Sequence, residues 1–214
     1  MNEVHGIDLE LKMFWERQAA TAVKAFNRRN IEAWYVPTRQ EALGKVMEMI
    51  PEGAVVGTAD SLTLVQVGVF AALWQRGKNE VINPFRRDEQ GKLVVEGEAR
   101  TEQMRRVFLS DVYVIGTNAI TLDGKLVNSD AMGNRVAPMI FGPKKVIVVV
   151  GANKITKNAD EARAAAIKEA SALDERKAAL TRQFANMEQT LSRLKASGDY
   201  ATSSLSSLIS GSKS

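Results

Sequence analysis

Residues 146–150 read VIVVV, five β-branched residues in succession between a lysine and a glycine. A strand with one face in water alternates apolar and polar side chains. A run without alternation fits a strand covered on both faces, as in a parallel sheet lying between layers of helix. Residues 112–115, VYVI, have the same character, and residues 54–57, AVVG, form a shorter version of it. Between these runs lie segments of helical period. In residues 11–26, Leu11, Trp15, Ala19, Ala22, Val23 and Phe26 recur at three- and four-residue steps. Thr38 and Glu41 form a capping box that opens a second helix, with Ala42, Val46, Met49 and Ile50 on one face. Further helices are expected over residues 62–75 and 99–109, and short strands over residues 31–36 and 80–83. Strands alternating with helices specify an α/β fold, a mostly parallel sheet covered by helices on both faces, with a long C-terminal helical extension.

The 214 residues suffice for one large domain with an appendage, able to bury most of its apolar surface without crosslinks. We expect a core domain at residues 1–158, a helical extension at 159–196 and a Ser-rich, unstructured tail at 197–214. In the extension, Ala166, Ala170, Leu173, Lys177, Leu180, Phe184, Met187, Leu191 and Leu194 follow an unbroken four-three step, a heptad seam with one polar member. Such a seam serves either a long helix laid against its own domain or a helical hairpin or coiled coil between subunits, and a homo-oligomer is the expectation that follows from the second. The tail holds eight serines in 18 residues.

The inventory excludes several chemistries. With no Cys, this chain forms no disulfide, thiolate nucleophile, zinc finger or protein-held iron–sulfur cluster. A single His, His5, leaves almost nothing from which to build a His-based metal site or a Ser-His-Asp triad, and no metal site is expected. The N-terminal residues lack the pattern of a signal peptide and no stretch approaches 18 apolar residues, so a cytoplasmic protein without a membrane span is expected. The net charge of +4 is spread over scattered pairs, Arg28-Arg29, Arg86-Arg87, Arg105-Arg106 and Lys144-Lys145. Nucleic-acid binding needs a concentrated stripe and is not expected; solvated surface pairs are the default.

Two segments concentrate polar side chains where buried strands end. Residues 57–63 place Gly57, Thr58, Asp60, Ser61 and Thr63 at a strand-to-helix turn. Backbone N–H groups and hydroxyls there can hold a phosphate or carboxylate, or Asp60 or Ser61 merely caps the helix. Residues 117–136, TNAITLDGKLVNSDAMGNRV, carry three Asn, two Asp, one Lys and one Arg between apolar runs. Asp123-Gly124 is a hairpin signal and accounts for the middle of this stretch. Asn118, Asn128, Asp130, Gly133, Asn134 and Arg135 flank it, at the exit of a strand where open α/β sheets bind ligands. Their polar groups are satisfied either by one another or by a ligand. Asp130 is the best acid–base candidate by side-chain type, since no Cys and only His5 compete with it.

The stretches EMIPEGAVVGTADSLTLVQVG and SDVYVIGTNAITLDGKLVNSDAMGNRVAPMIFGPKKVIVVVGANKIT resemble the lactate-utilisation (LUD, formerly DUF162) family of bacterial and archaeal proteins, over residues 11–169. The most specific part combines TNA, DGxLxN, GNR and GPKKVIVVVG in the family's order. The resemblance implies a core similar to ribose-5-phosphate isomerase, glucosamine-6-phosphate deaminase and CoA transferases. It also implies a place in the oxidation of lactate or a similar hydroxy acid, alongside an iron–sulfur partner subunit. A non-redox accessory or ligand-binding subunit is the leading expectation. A stand-alone enzyme acting on a sugar phosphate or acyl-CoA is the alternative, and a regulatory or assembly module the third reading. The expected ligand is a small carboxylate or phosphate, held by Arg135 and by the turn containing Thr58, Asp60, Ser61 and Thr63, with Asn118 and Asn128 fixing its orientation. Many relatives of this size end in a Cys-containing segment; here that region is the heptad helix and Ser-rich tail, so a cluster in such a system belongs to the partner.

Overall fold

The computed structural model describes the backbone of residues 2–211 and the side chains of residues 9–172, 174–176 and 178–195. The side chains of His5, of Leu173 and Lys177 in the seam, and of the Ser-rich tail lie outside these limits. Helix α1, Asn2–Asn27, buries Ala22 and Phe26 against Ile120 and, at the margin, Ala33, Leu126, Val150 and Ile155. The strand expected at residues 31–36 does not form. Ala33 instead finds its partners in one side chain: its N–H donates to Asn27 Oδ1 at 3.1 Å and its carbonyl accepts from Asn27 Nδ2 at 3.3 Å. With Ile31 and Trp34 about half exposed, little apolar burial would reward a ladder there.

Helix α2, Arg39–Met49, opens on the expected box: Glu41 N–H donates to Thr38 Oγ1 at 3.1 Å and the Thr38 hydroxyl to the Glu41 carboxylate at 2.9 Å. Strand β1, Val56–Thr58, leads into α3, Leu62–Val67, and α4, Val69–Arg76. One helix was expected over residues 62–75. Gly68 breaks it, at φ 86°, with its N–H donating back to Leu64 O and Val65 O. That left-handed cap is a helix end which only glycine adopts without cost. Strand β2, Val81–Ile82, is followed by a polar excursion turning at Gly91, where the Asp88 carboxylate accepts from the N–H groups of Gln90 and Lys92. Then come α5, Gly97–Arg106, a 3-10 turn at Val107–Leu109, and β3, Val112–Ile115. Strands β4, Ala119–Thr121, and β5, Leu126–Val127, make the expected hairpin around Asp123-Gly124. The chain continues through α6, Ala137–Ile140, β6, Lys145–Val148, and β7, Ile155–Thr156, into α7, Ala159–Gly211.

The main sheet has the order β2-β1-β3-β6 and is parallel throughout, with Val56 beside Val112 and Val112 beside Lys145. A smaller sheet has the order β5-β4-β7. The missing alternation now has its cause. Val112, Val114 and Ile147 face Val46, Ile50, Leu64, Val69 and Leu73 from α2, α3 and α4. Tyr113 and Ile115 face the opposite layer, with Ala59, Ile82, Val107 and Met139. Each such side chain stabilises the fold by about 1.5–3 kcal/mol, so both faces hold the strands in register.

The chain divides into two compact units, Met1–Ile167 and Lys168–Ser214. The first turns of α7 belong to the former, where Ala162 and Ala166 are buried. In the latter, the seam residues Leu180, Phe184, Met187, Leu191 and Leu194 are exposed. The helix passes the expected limit at Ala196 and runs to Gly211, so the backbone expected to be unstructured there is helical as far as that residue. Serine is only mildly unfavourable in helices, and composition alone did not register this. Among the described residues, no helix is long and apolar enough to cross a membrane.

Candidate functional site

Parallel strands deliver their carboxyl ends to one edge, and Gly116 marks where three of them meet. A Cβ on Gly116 would lie 2.6 Å from Ser61 Oγ and 3.7 Å from Val149 O, so the exits of β1, β3 and β6 close on one another around a residue without a side chain. On the β1 side, the Thr58 hydroxyl donates to Ala59 O at 3.2 Å, and Ser61 Oγ accepts from Leu64 N–H at 3.4 Å. Ser61 is thus the cap of α3, while Asp60 is exposed and Thr63 half-buried. Among the described residues, no hydrogen bond joins this turn to Arg135; it shares only the approach through Gly116.

The other flank is tightly knit. Thr117 is buried, and its hydroxyl reaches Asn128 Oδ1 at 3.1 Å, Val127 O at 3.2 Å and Ala119 O at 3.3 Å, while its carbonyl accepts from Lys154 Nζ at 3.1 Å. Asn128 Nδ2 points at Met139 Sδ, 3.8 Å away. Asn118 Oδ1 accepts from Ser129 N–H at 3.0 Å and from Arg135 Nη2 at 2.5 Å. Arg135 is held at four points. Its Nη2 also donates to Ser129 O at 2.6 Å, its N–H donates to Asp130 Oδ2 at 2.9 Å, and its carbonyl accepts from the Tyr113 hydroxyl at 3.0 Å. Asp130 Oδ2 takes a further bond from Val136 N–H at 2.9 Å. Gly133, at φ 78°, turns this loop, and Asn134 sits half-buried within it.

These contacts sort the side chains by what they can do. Burial works against ionisation of Asp130, but the N–H groups of Val136, Arg135 and Met132, with the Arg135 charge, outweigh it and hold the carboxyl below its usual range. Asp130 therefore organises residues 130–136 as a fixed anion. Burial drives the Tyr113 phenol well above its usual range; the Arg135 charge opposes this and the Asp130 charge adds to it, leaving a constant hydroxyl donor. Arg135 differs from both. Among the described residues no protein acceptor engages its Nε or Nη1, so single N–H donors of a positioned guanidinium remain for an anion.

The structure thus brings Asn118, Asn128, Asp130 and Arg135 into one network, carries Gly133 and Asn134 on its loop, and leaves Thr58, Asp60, Ser61 and Thr63 on a neighbouring turn. Tyr113, Ser129 and Lys154 join it without having been singled out from sequence. Tyr113 is the one polar tip in an apolar strand, a signal that was available; Lys154 comes from the turn after β6, and only folding places it. Residues 19–196 match the LUD domain. The chain belongs to the LUD domain family. The match takes in both flanks of the site, and with it the lactate-utilisation family is the setting in which this network is to be understood. Comparison with curated proteins finds no match. The matched residues include Asn118, Asn128, Asp130 and Arg135, whose hydrogen bonds are those just described.

The role of Asp130 is open to a direct measurement. A carboxyl whose folded pKa is depressed adds stability above its unfolded pKa, and this is lost as pH falls through the folded value. Asp130→Asn keeps an acceptor oxygen and removes the charge, so it should lower stability at pH 7 by about 1 kcal/mol, the difference between a charged and a neutral acceptor. That gap should narrow as pH falls below the ordinary aspartate value of about 3.9 and on through the depressed folded one. Urea denaturation at pH 7 and pH 3 gives both values; a gap of the same size at each would remove the ionised carboxylate from the account.

Proposed function

We propose that this LUD-family chain serves lactate utilisation as a non-redox, ligand-binding subunit, and that its ligand is a small hydroxy-acid carboxylate taken by Arg135. One observation carries the reading: the Arg135 guanidinium is fixed through Nη2 by Asn118 and Ser129, while Nε and Nη1 have no acceptor among the described residues. A guanidinium braced at Nη2, with its Nε–H and Nη1–H unengaged, keeps its charge in a fixed place and suits a small carboxylate that accepts a single charge-assisted N–H bond. In this reading Asn118 aims the guanidinium, Asn128 lies behind it through Thr117, and Asp130 shapes the loop without moving protons. With no thiolate in the chain, the redox group of such a system belongs to a partner subunit.

The test is a thermal-shift and calorimetric panel on the full chain with L-lactate, pyruvate, ribose 5-phosphate and an acyl-CoA. Saturable binding of L-lactate or pyruvate is the expected result. Binding of the sugar phosphate or the CoA ester, with none of either acid, would transfer the site to an enzyme of the sugar-phosphate or acyl-CoA class.

A further inference from the structure

The pair Arg28-Arg29 has no part in the network above, yet it lines a recess of about 440 Å³ between the end of α1 and the turn of the β4–β5 hairpin, together with Thr21, Lys24, Leu122 and Asp123. The recess shares none of the side chains gathered around Asn118 and Arg135. Its volume falls in the range of small-molecule sites, roughly 300–1,000 Å³.

Three features distinguish this place from an ordinary solvated helix end. The first is charge. Among the described residues no carboxylate pairs with Lys24, Arg28 or Arg29, although Lys24 and Arg28 stand four residues apart, a spacing at which like charges repel. The C-terminal end of α1 offsets part of that repulsion through its own partial negative charge. Asp123 contributes little to neutralising it. Its carboxylate is engaged by the Thr121 hydroxyl and by Lys125 Nζ at 2.6 Å, and the Lys125 and Thr121 hydrogen bonds hold it below its usual pKa range.

The second feature is fixed geometry. Arg29 Nε donates to Asp123 O at 3.1 Å, which sets the plane of its guanidinium against the hairpin. The third is rigidity of the walls. Gly124, at φ 81°, brings the hairpin so close to α1 that a Cβ there would meet the Ala25 carbonyl carbon at 2.9 Å and Phe26 N at 3.0 Å. The two sides of the recess are therefore locked together, and a ligand between them meets a preformed wall on each side.

We propose that this cleft is a second anion site of the LUD domain, built for the phosphate groups of a small, multiply charged phosphate compound such as a diphosphate. The cations are grouped in a concavity, and the remaining basic pairs are scattered along the chain rather than arranged as a stripe leading away from it. Both points select a compact ligand over a nucleic-acid strand.

The probe is inorganic pyrophosphate, titrated calorimetrically into the full chain at constant ionic strength, with L-lactate titrated in parallel. Lys24 and Arg28 are exposed, so Lys24→Gln and Arg28→Gln leave the core untouched. Each should weaken pyrophosphate binding at least fivefold and the double variant should abolish it, while Arg135→Ala changes it less than twofold. Unchanged affinity in the double variant, no saturable binding to the wild type, or an equal loss in Arg135→Ala would overturn the proposal. Tighter capture of a single-stranded RNA than of pyrophosphate would overturn it as well. Because the lactate arm reads Arg135 and the pyrophosphate arm reads Lys24 and Arg28, failure of one site is distinct from failure of the other.

Discussion

Replacing Gly142 with alanine is expected to destabilise the protein by about 3–5 kcal/mol, combining a glycine-only backbone conformation with an overpacked contact. Gly142 lies just before β6 at φ 124°, and a Cβ there would stand 2.6 Å from Phe108 O and 3.2 Å from Phe108 Cα. Backbone cannot turn aside as a flexible side chain can. Phe108 belongs to the 3-10 turn Val107–Leu109, whose end is fixed by Ser110 donating to Val107 O through both its N–H, at 3.1 Å, and its hydroxyl, at 2.7 Å. Any retreat would therefore shift the start of β3, a strand buried at every residue. Gly133→Ala is the control. Its φ of 78° is also left-handed, but nothing lies within 4 Å of the added Cβ, so only conformational strain of about 1 kcal/mol applies. Urea denaturation with unchanged slope should separate the two variants clearly; a Gly142→Ala protein within 1 kcal/mol of wild type would show that the β3–β6 entry adapts.

Most of the sheet was legible because burial on both faces leaves a mark that composition carries directly: VYVI and VIVVV have no polar phase, and no other sheet environment produces that. The hairpin at Asp123-Gly124 and the Thr38–Glu41 box were legible because each rests on local chemistry. Residues 31–36 misled for the opposite reason. Their apolar side chains mimic a strand, but the backbone partner of Ala33 is the side chain of Asn27, a competition invisible to periodicity. Gly68 was hidden inside a good helical pattern, since the pattern concerns side chains while the break is a matter of φ. At the candidate site the residue types were readable and their division of labour was not. Asp130 is the acid–base candidate by type, and what the type does not reveal is that its Oδ2 accepts from backbone N–H groups five and six residues on. Tyr113 and Lys154 approach Arg135 and Thr117 from a strand and a distant turn, and no spacing along the chain encodes that meeting.

Arg135→Ala is expected to weaken binding of L-lactate or pyruvate by about tenfold to a hundredfold, the value of a hydrogen-bonded charge pair of about 1.5–3 kcal/mol. The fold should be spared, because the bonds that hold the backbone of residue 135, from its N–H to Asp130 and from the Tyr113 hydroxyl to its carbonyl, do not involve the guanidinium. Arg135→Lys sharpens the test. Lysine keeps the charge but presents a compact ammonium instead of a planar guanidinium, and it cannot be braced by Asn118 and Ser129 while also aiming a further N–H donor in a fixed direction. Its affinity should fall between wild type and Arg135→Ala, whereas a purely long-range charge effect would leave the lysine variant near wild type. Asn118→Ala adds the positioning step. It removes the 2.5 Å brace on Nη2 and leaves the charge in place, so the loss should be smaller, about threefold to tenfold, and should appear without change in the ionic-strength dependence that reports the cation itself. Calorimetric titration of the three variants at two salt concentrations yields all of these values, and undiminished affinity in Arg135→Ala would move the carboxylate away from this loop altogether.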